Sequence, residues 1–179
     1  MIALALALVV VTLLMTSGLT FGHAAPPPIK PRPYGYPAAL DVFPVDPSCF
    51  YANSWGAPRS GGRKHQGVDI ITGRGKPIYA VRDGRISKKY SGGKLAGNGI
   101  AVQTGDGTYF FYAHLSAFAP GLRVGSTVKA GQVIGQIGMT GAAGSPHLHF
   151  EVHPAGGAPV DPTEIVRSVD GCKVSERIS

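Results

Sequence analysis

Sustained helical periodicity is absent from the central part of this sequence, between about residues 49 and 162. Apolar residues there do not recur every three to four positions, which argues against a fold built from amphipathic helices. Glycines recur instead between short runs rich in β-branched and aromatic residues, and Asp106-Gly107 between two such runs indicates a hairpin turn. The sequence therefore predicts a mainly antiparallel β domain.

The predicted strands occupy residues 77–81, 84–87, 100–103, 108–113, 132–138 and 148–153. One short helix is expected late in the chain. Asp161-Pro162-Thr163-Glu164 offers it an N-cap, a proline at the first helical position and a glutamate at the third. Gly171 is placed to end this helix.

Cysteine is scarce, and its two copies, Cys49 and Cys172, flank the β-rich region. In an oxidising compartment we expect the two to form a disulfide, which would contribute on the order of 2–4 kcal/mol by closing a long loop. Neither cysteine shares a motif with a histidine, which argues against a thiol nucleophile.

Acidic residues are also few, because 10 Asp and Glu stand against 17 Lys and Arg, giving a formal net charge of +7. A chain this basic is attracted to anionic surfaces such as cell-wall polymers or lipid headgroups. Nucleic acid is the competing partner, but the basic residues are scattered and not interleaved with aromatics in one arm. We therefore expect anionic wall polymers, and no nucleic acid, as partners.

Charged residues are missing altogether from residues 1–24, of which 2–21 are almost continuously apolar. Gly22 and Ala24 follow at the spacing that signal peptidase prefers, which predicts a secretory leader and an extracytoplasmic location at the cell wall. A retained membrane anchor is the alternative, since a positive n-region is missing and the run is just long enough to span a bilayer. No cysteine follows the run, which argues against a lipoprotein anchor.

The remaining sequence divides by composition. Residues 25–47 hold more than half of the 15 prolines and are expected to form an extended spacer. The globular domain is expected to cover residues 48–172, followed by a tail at 173–179.

Two histidines alternate with apolar residues near the end of this domain, in His147-Leu148-His149-Phe150. In a strand both imidazoles point to one face, roughly 6.6 Å apart at Cα, while the apolar residues point into the core. One imidazole can then ligate a metal while the other stands over the same cavity.

A second pair, His65 and Asp69, is too far apart in a straight strand, at about 13 Å, to share one ion. Joint ligation requires a bend, which Gly67 is placed to permit. By themselves these residues are more simply a loop histidine and a solvated aspartate. His114 is expected to share a strand face with Phe110 and Tyr112. It is a candidate site residue only because the other histidines are present.

Together these motifs supply nitrogen and oxygen ligands plus an open position, which suits catalytic Zn²⁺. The chain resembles the lysostaphin-type zinc endopeptidases, which cut peptide bonds in bacterial peptidoglycan. The resemblance covers roughly residues 53–152. Its matching segments are 54–56, 65–70, 77–80, 83–84, 112–115, 128–135 and 144–151.

The resemblance implies that His65, Asp69 and His149 ligate one zinc ion and that His114 and His147 are the catalytic histidines. It also implies a compact, curved antiparallel sheet with a groove, a peptidoglycan substrate and no cofactor beyond the metal. We expect a monomer. One catalytic histidine would act as general base, and the other, protonated, would help to hold the oxyanion.

Some members of that family carry a tyrosine in the loop before the first zinc histidine. Here that loop, residues 57–64, offers Arg59, Arg63 or Lys64 as a positive group instead. Glu151 continues the face of the two histidines and is a candidate to orient a ligand imidazole, with a strand-edge ion pair as the alternative. His153 is expected at the surface.

Two other functions compete. The chain would be a wall-binding module or an activator of other hydrolases if it held no metal. A carrier domain is suggested by residues 125–132, which resemble a biotinyl or lipoyl hairpin, but the turn at 138–141 has no lysine to modify. Both a glycine bridge and a stem-peptide bond suit an open groove, and we expect a D,D stem-peptide bond.

Overall fold

Strands dominate the computed structural model, which describes residues 38–169 and 171–174. The strands are β1 (Cys49–Tyr51), β2 (Val68–Thr72), β3 (Pro77–Tyr79), β4 (Gly84–Gly93), β5 (Gly97–Gln103), β6 (Tyr109–Ala113), β7 (Ala117–Phe118), β8 (Thr127–Val128), β9 (Val133–Gln136), β10 (His147–His153) and β11 (Lys173–Val174). A short helix, α1, covers Thr163–Arg167, and two 3₁₀ turns cover Ser60–Gly62 and Pro154–Gly156.

The predicted leader, the first part of the predicted spacer up to residue 37, and residues 175–179 of the tail lie outside the described residues. Within residues 38–169 and 171–174, no helix is both long and apolar enough to cross a membrane.

The larger sheet has eight strands in the order β11-β1-β2-β10-β6-β5-β4-β8, and β3-β9-β7 form a second sheet. Every neighbouring pair is antiparallel except β1 and β11, which are parallel. The prediction of a mainly antiparallel β fold is confirmed. The predicted hairpin turn is confirmed as well, since Gly107 has φ 82° and its N–H donates to the Thr104 carbonyl at 3.0 Å between β5 and β6.

The position of β10 in the larger sheet, between β2 and β6, places the candidate site. His149 lies opposite Asp69 of β2 on one side and opposite Ala113 of β6 on the other. Leu148 and Phe150 point away from the histidines into the core, with no exposed surface. This alternation is the one that the sequence predicts.

The boundaries of several elements differ from prediction. Strand β4 continues through Gly93, well beyond residue 87, because it pairs with β5 along most of its length. The helix starts at Thr163, whose N–H bonds to the Asp161 carboxylate at 2.9 Å, and it ends at Arg167. Gly171 therefore does not end it.

The predicted spacer is wrong for the described part of its range. Leu40, Phe43 and Val45 are almost completely buried and belong to the hydrophobic core. Residues 38–45 are therefore part of the folded domain. The predicted disulfide is present, since Cys49 and Cys172 are bonded with their Cα atoms 5.1 Å apart.

Candidate functional site

His65, Asp69 and His149 converge in a groove of about 680 Å³. One donor atom from each lies within 4.8 Å of the others. Nε2 of His65 is 2.9 Å from Nδ1 of His149, and Oδ1 of Asp69 lies 3.1 Å and 3.0 Å from those two nitrogens. The structure thus brings together the three predicted zinc ligands.

The chain bends at Gly67, between His65 and strand β2, which contains Asp69, as joint ligation requires. The reason for glycine at position 67 differs from the predicted one. A Cβ on Gly67 would lie 2.5 Å from the Phe150 carbonyl oxygen and 2.8 Å from Cε1 of His149. Glycine is thus required by the close approach of β10.

Hydrogen bonds on the far side of each imidazole fix which nitrogen faces the cluster. Nδ1 of His65 donates to the Ser54 carbonyl at 2.9 Å, which leaves the lone pair on Nε2. Nε2 of His149 donates to Oε1 of Glu151 at 2.8 Å, which leaves the lone pair on Nδ1. Both lone pairs therefore point at the same space as the Asp69 carboxylate.

Two nitrogen lone pairs and a carboxylate oxygen this close together repel one another unless a proton or a metal cation lies between them. Burial alone would lower the pKa of His149, but its hydrogen bonds to Asp69 and Glu151 outweigh burial and raise that pKa to about 9. Burial raises the pKa of Asp69, but the hydrogen bonds of His149 and His65 hold it well below its ordinary value. The cluster therefore favours positive charge, and its donor set fits Zn²⁺.

His114 and His147 stand beside this cluster, with their ring centroids 4.7 Å apart. Nε2 of His147 lies 3.7 Å from Oδ1 of Asp69, and the His114 ring is 5.9 Å from the His149 ring. The prediction that His114 shares a face with Phe110 is wrong. Its φ of 67° turns the side chain out of the strand alternation and toward the site.

Backbone carbonyls also fix the orientation of these two imidazoles. Nδ1 of His114 donates to the Thr140 carbonyl, and Nδ1 of His147 donates to the Ser145 carbonyl, both at 2.8 Å. In each ring Nε2 is then free to accept a proton. Burial lowers the pKa of His114 to about 4, so this imidazole is neutral near pH 7.

Glu151 links the cluster to a histidine that the sequence analysis placed at the surface. His153 is only 7% exposed, bonds to Oε2 of Glu151 at 2.7 Å and stacks on the Tyr109 ring at 4.0 Å. The surface prediction for His153 is wrong. The period-two alternation through His147, His149 and Glu151 is the signal that could have placed His153 on this face of β10.

The loop of residues 57–64 forms a wall of the groove beside the cluster. The Arg59 guanidinium donates to Oδ2 of Asp69 at 2.6 Å, so the two carboxylate oxygens have different partners. Arg63 and Lys64 are exposed and line the same groove. Of the three cations that the sequence suggested, Arg59 is the one in contact with the cluster.

A known protein family matches the part of the chain that contains the site. The family described as Peptidase family M23 matches residues 63–162, more than half of the chain, and the match contains all five histidine and aspartate residues of the site. The chain belongs to peptidase family M23. The lysostaphin-type resemblance drawn from the motifs is thereby confirmed.

Named relatives of this M23 chain are endopeptidases. It is 34% identical over 124 residues to an L-Ala–D-Glu endopeptidase of Bacillus subtilis, covering 64% of this chain and 38% of the relative. It is 42% identical over 91 residues to the glycyl-glycine endopeptidase ALE-1 of Staphylococcus capitis, covering 50% of this chain and 25% of the relative. The chain thus spans well under half the length of either relative.

A solved structure shares the fold. The zinc-containing peptidase of Vibrio cholerae superposes with a TM-score of 0.60 at 30% identity, covering 68% of this chain and 38% of that one.

Proposed function

We propose that this protein is a zinc-dependent endopeptidase that hydrolyses peptide bonds in bacterial peptidoglycan. The observation that carries the proposal is the convergence of His65 Nε2, His149 Nδ1 and Asp69 Oδ1 beside two further imidazoles in an open groove. Membership of peptidase family M23 and the endopeptidase names of its relatives support it.

One zinc ion per chain would be held by His65, Asp69 and His149. When bound, zinc polarises the scissile carbonyl and lowers the pKa of water. The Vibrio cholerae peptidase of the same fold contains zinc, which supports this choice of metal. Glu151 would hold His149 in the tautomer that presents Nδ1 to the metal, through the 2.8 Å hydrogen bond from Nε2.

His114 and His147 would move the protons. His114 suits the general base because its Nδ1 proton is held by the Thr140 carbonyl, so Nε2 would accept the proton of the attacking water. His147 lies nearer to Asp69, and its protonated form would stabilise the negative charge that develops on the carbonyl oxygen.

We also propose that the protein is exported and acts at the cell wall as a monomer. The Cys49–Cys172 disulfide supports export, since such bonds persist in oxidising compartments. The net charge of +7 supports attraction to anionic wall polymers. The chain would comprise a leader or anchor at residues 1–24, a spacer, the peptidase domain up to residue 172 and a tail from 173 to 179.

The relatives' names specify different bonds, one next to D-Glu and one between glycines. Which bond this chain cleaves is therefore a separate question. The test is digestion of isolated peptidoglycan by the purified chain, with chelator and with zinc restored, followed by mass analysis of the fragments. We expect new peptide termini that disappear with chelator and return with zinc. No new termini from folded, zinc-loaded protein would favour a wall-binding or activator role instead.

A further inference from the structure

The loop of residues 57–64 displays its cations from a closed hairpin. The Arg59 N–H donates to the Arg63 carbonyl at 2.8 Å across the hairpin, and Ser60–Gly62 form the 3₁₀ turn at its tip. The hairpin leads directly into His65. Arg63 and Lys64 therefore stand at a defined position beside the candidate metal centre.

Within residues 38–169 and 171–174, these two cations have no acidic partner. The Arg63 guanidinium donates to the carbonyl and hydroxyl of Ser60, at 3.1 Å and 3.2 Å, and both acceptors are neutral. Among the described residues, no carboxylate forms an ion pair with Arg63 or Lys64, whereas Arg59 is paired with Asp69. Both side chains are exposed on the groove wall.

The acidic groups of the groove do not neutralise this wall. Glu151 accepts hydrogen bonds from His149 and His153, and Asp69 is occupied by its histidines and by Arg59. Another part of the groove lining carries no charge and consists of Leu95, Ala96, Ala142 and Ala143. The field across the groove is therefore positive on the hairpin side and close to neutral along these residues.

We propose that Arg63 and Lys64 form a subsite for a side-chain carboxylate of the substrate peptide. The inference rests on the proposed function, because it takes the groove as a peptide-binding site, and it names an acidic peptide as the substrate class. A guanidinium or an ammonium on the groove wall recognises a carboxylate through charge-assisted hydrogen bonds. A glycine bridge has no side chain for them to pair with, so the charge favours a stem peptide.

The test uses two tripeptides, acetylated and amidated at their ends, that differ only in D-Glu or D-Gln at the centre. Binding to the chelator-treated chain is measured by NMR chemical-shift titration at low salt. We expect the D-Glu peptide to bind about 3- to 10-fold more tightly, from two exposed charge pairs. Salt at about 0.5 M should remove most of this preference by screening.

Variants test whether Arg63 and Lys64 cause the preference for the D-Glu peptide. Arg63→Gln combined with Lys64→Gln should abolish it, so that the D-Glu peptide binds no more tightly than the D-Gln peptide. The matched control, Arg74→Gln combined with Arg123→Gln, removes the same net charge from exposed positions that do not line the groove and should keep the preference. The amide NMR spectrum of each variant confirms its fold.

Equal binding of the two peptides would overturn the subsite. So would a preference that survives in the Arg63/Lys64 variant or that disappears in the control. These readouts need no catalysis. Failure of the proposed function would appear instead as absent hydrolysis by the zinc-loaded chain, with the D-Glu preference intact.

Discussion

Nε2 of His149 lies 2.8 Å from Oε1 of Glu151, on the opposite side of the ring from the nitrogen that faces Asp69. The carboxylate can only accept, so it assigns the ring proton to Nε2 and leaves Nδ1 as a donor for a metal. The second oxygen of Glu151 bonds to buried His153 at 2.7 Å. One side chain thus links a candidate zinc ligand to a buried residue of the same strand.

Removing Glu151 should weaken metal binding. We predict that Glu151→Ala raises the dissociation constant for zinc by about 10- to 100-fold, because the His149 imidazole loses its fixed tautomer and orientation. Glu151→Gln should lose less zinc affinity, since its amide oxygen can still accept a hydrogen bond from Nε2 of His149. Competition with a chromophoric chelator measures the constant, and wild-type affinity in the alanine variant would contradict this role.

Replacing His114 should separate metal binding from catalysis. His114→Ala is expected to retain one zinc per chain and to lose hydrolysis by about 10²- to 10⁴-fold, the usual contribution of a general base. Metal analysis and cleavage assays on the same sample give both quantities. Stoichiometric loss of zinc in this variant would instead make His114 a ligand.

Replacing Asp69 should remove metal and activity together. Asp69→Ala deletes the oxygen that lies within hydrogen-bonding distance of both His65 and His149, so the remaining donor set is too small for tight zinc binding. Zinc content and hydrolysis should both fall to background. A variant that keeps both would exclude Asp69 from the metal site.

A methyl group at position 67 should disturb the site without changing any of its donor groups. In Gly67→Ala the added Cβ meets the Phe150 carbonyl at 2.5 Å, so β10 must shift. We expect a loss of about 1–3 kcal/mol in the free energy of unfolding, as for other overpacked sites, together with weaker zinc binding. Gly105→Ala is the control, because nothing lies within 4 Å of its Cβ. Equal melting temperatures for the two variants would refute the close-approach argument.

The metal-free protein should lose stability in acid through Glu151. Burial raises its pKa, but hydrogen bonds from His149 and His153 outweigh burial and lower the pKa from 4.5 to about 2. The carboxylate therefore stabilises the fold above about pH 4.5, and this contribution disappears as the pH falls toward 2. Chemical denaturation of wild type and Glu151→Gln should show a stability difference that narrows over this range. A stability difference that does not change with pH would contradict this role of the Glu151 carboxylate.

Sequence periodicity was sufficient for the β fold, whereas the five residues that meet at the site were predicted from the family resemblance. The spacing did not place His114 correctly, because a left-handed backbone at one residue breaks the alternation that strand patterns assume. It also missed the burial of His153, because that ring is covered by Tyr109 from a neighbouring strand and bonded to Glu151.

Composition was misleading at the start of the domain. Prolines near residues 38–45 indicated a spacer, yet Leu40 and Phe43 insert into the core, a long-range contact that no local pattern encodes. Strands of two residues, such as β7 and β8, are too short for a periodic signal and form only because longer neighbours pair with them.

The most direct test of the account is an anomalous difference map, collected at the zinc edge from crystals of the zinc-loaded protein. We predict one peak per chain, at about 2.0–2.2 Å from Nε2 of His65, Nδ1 of His149 and a carboxylate oxygen of Asp69. His114 and His147 should lie outside bonding distance. A peak bonded to either of those histidines, or no peak within this cluster, would contradict the proposed metal centre.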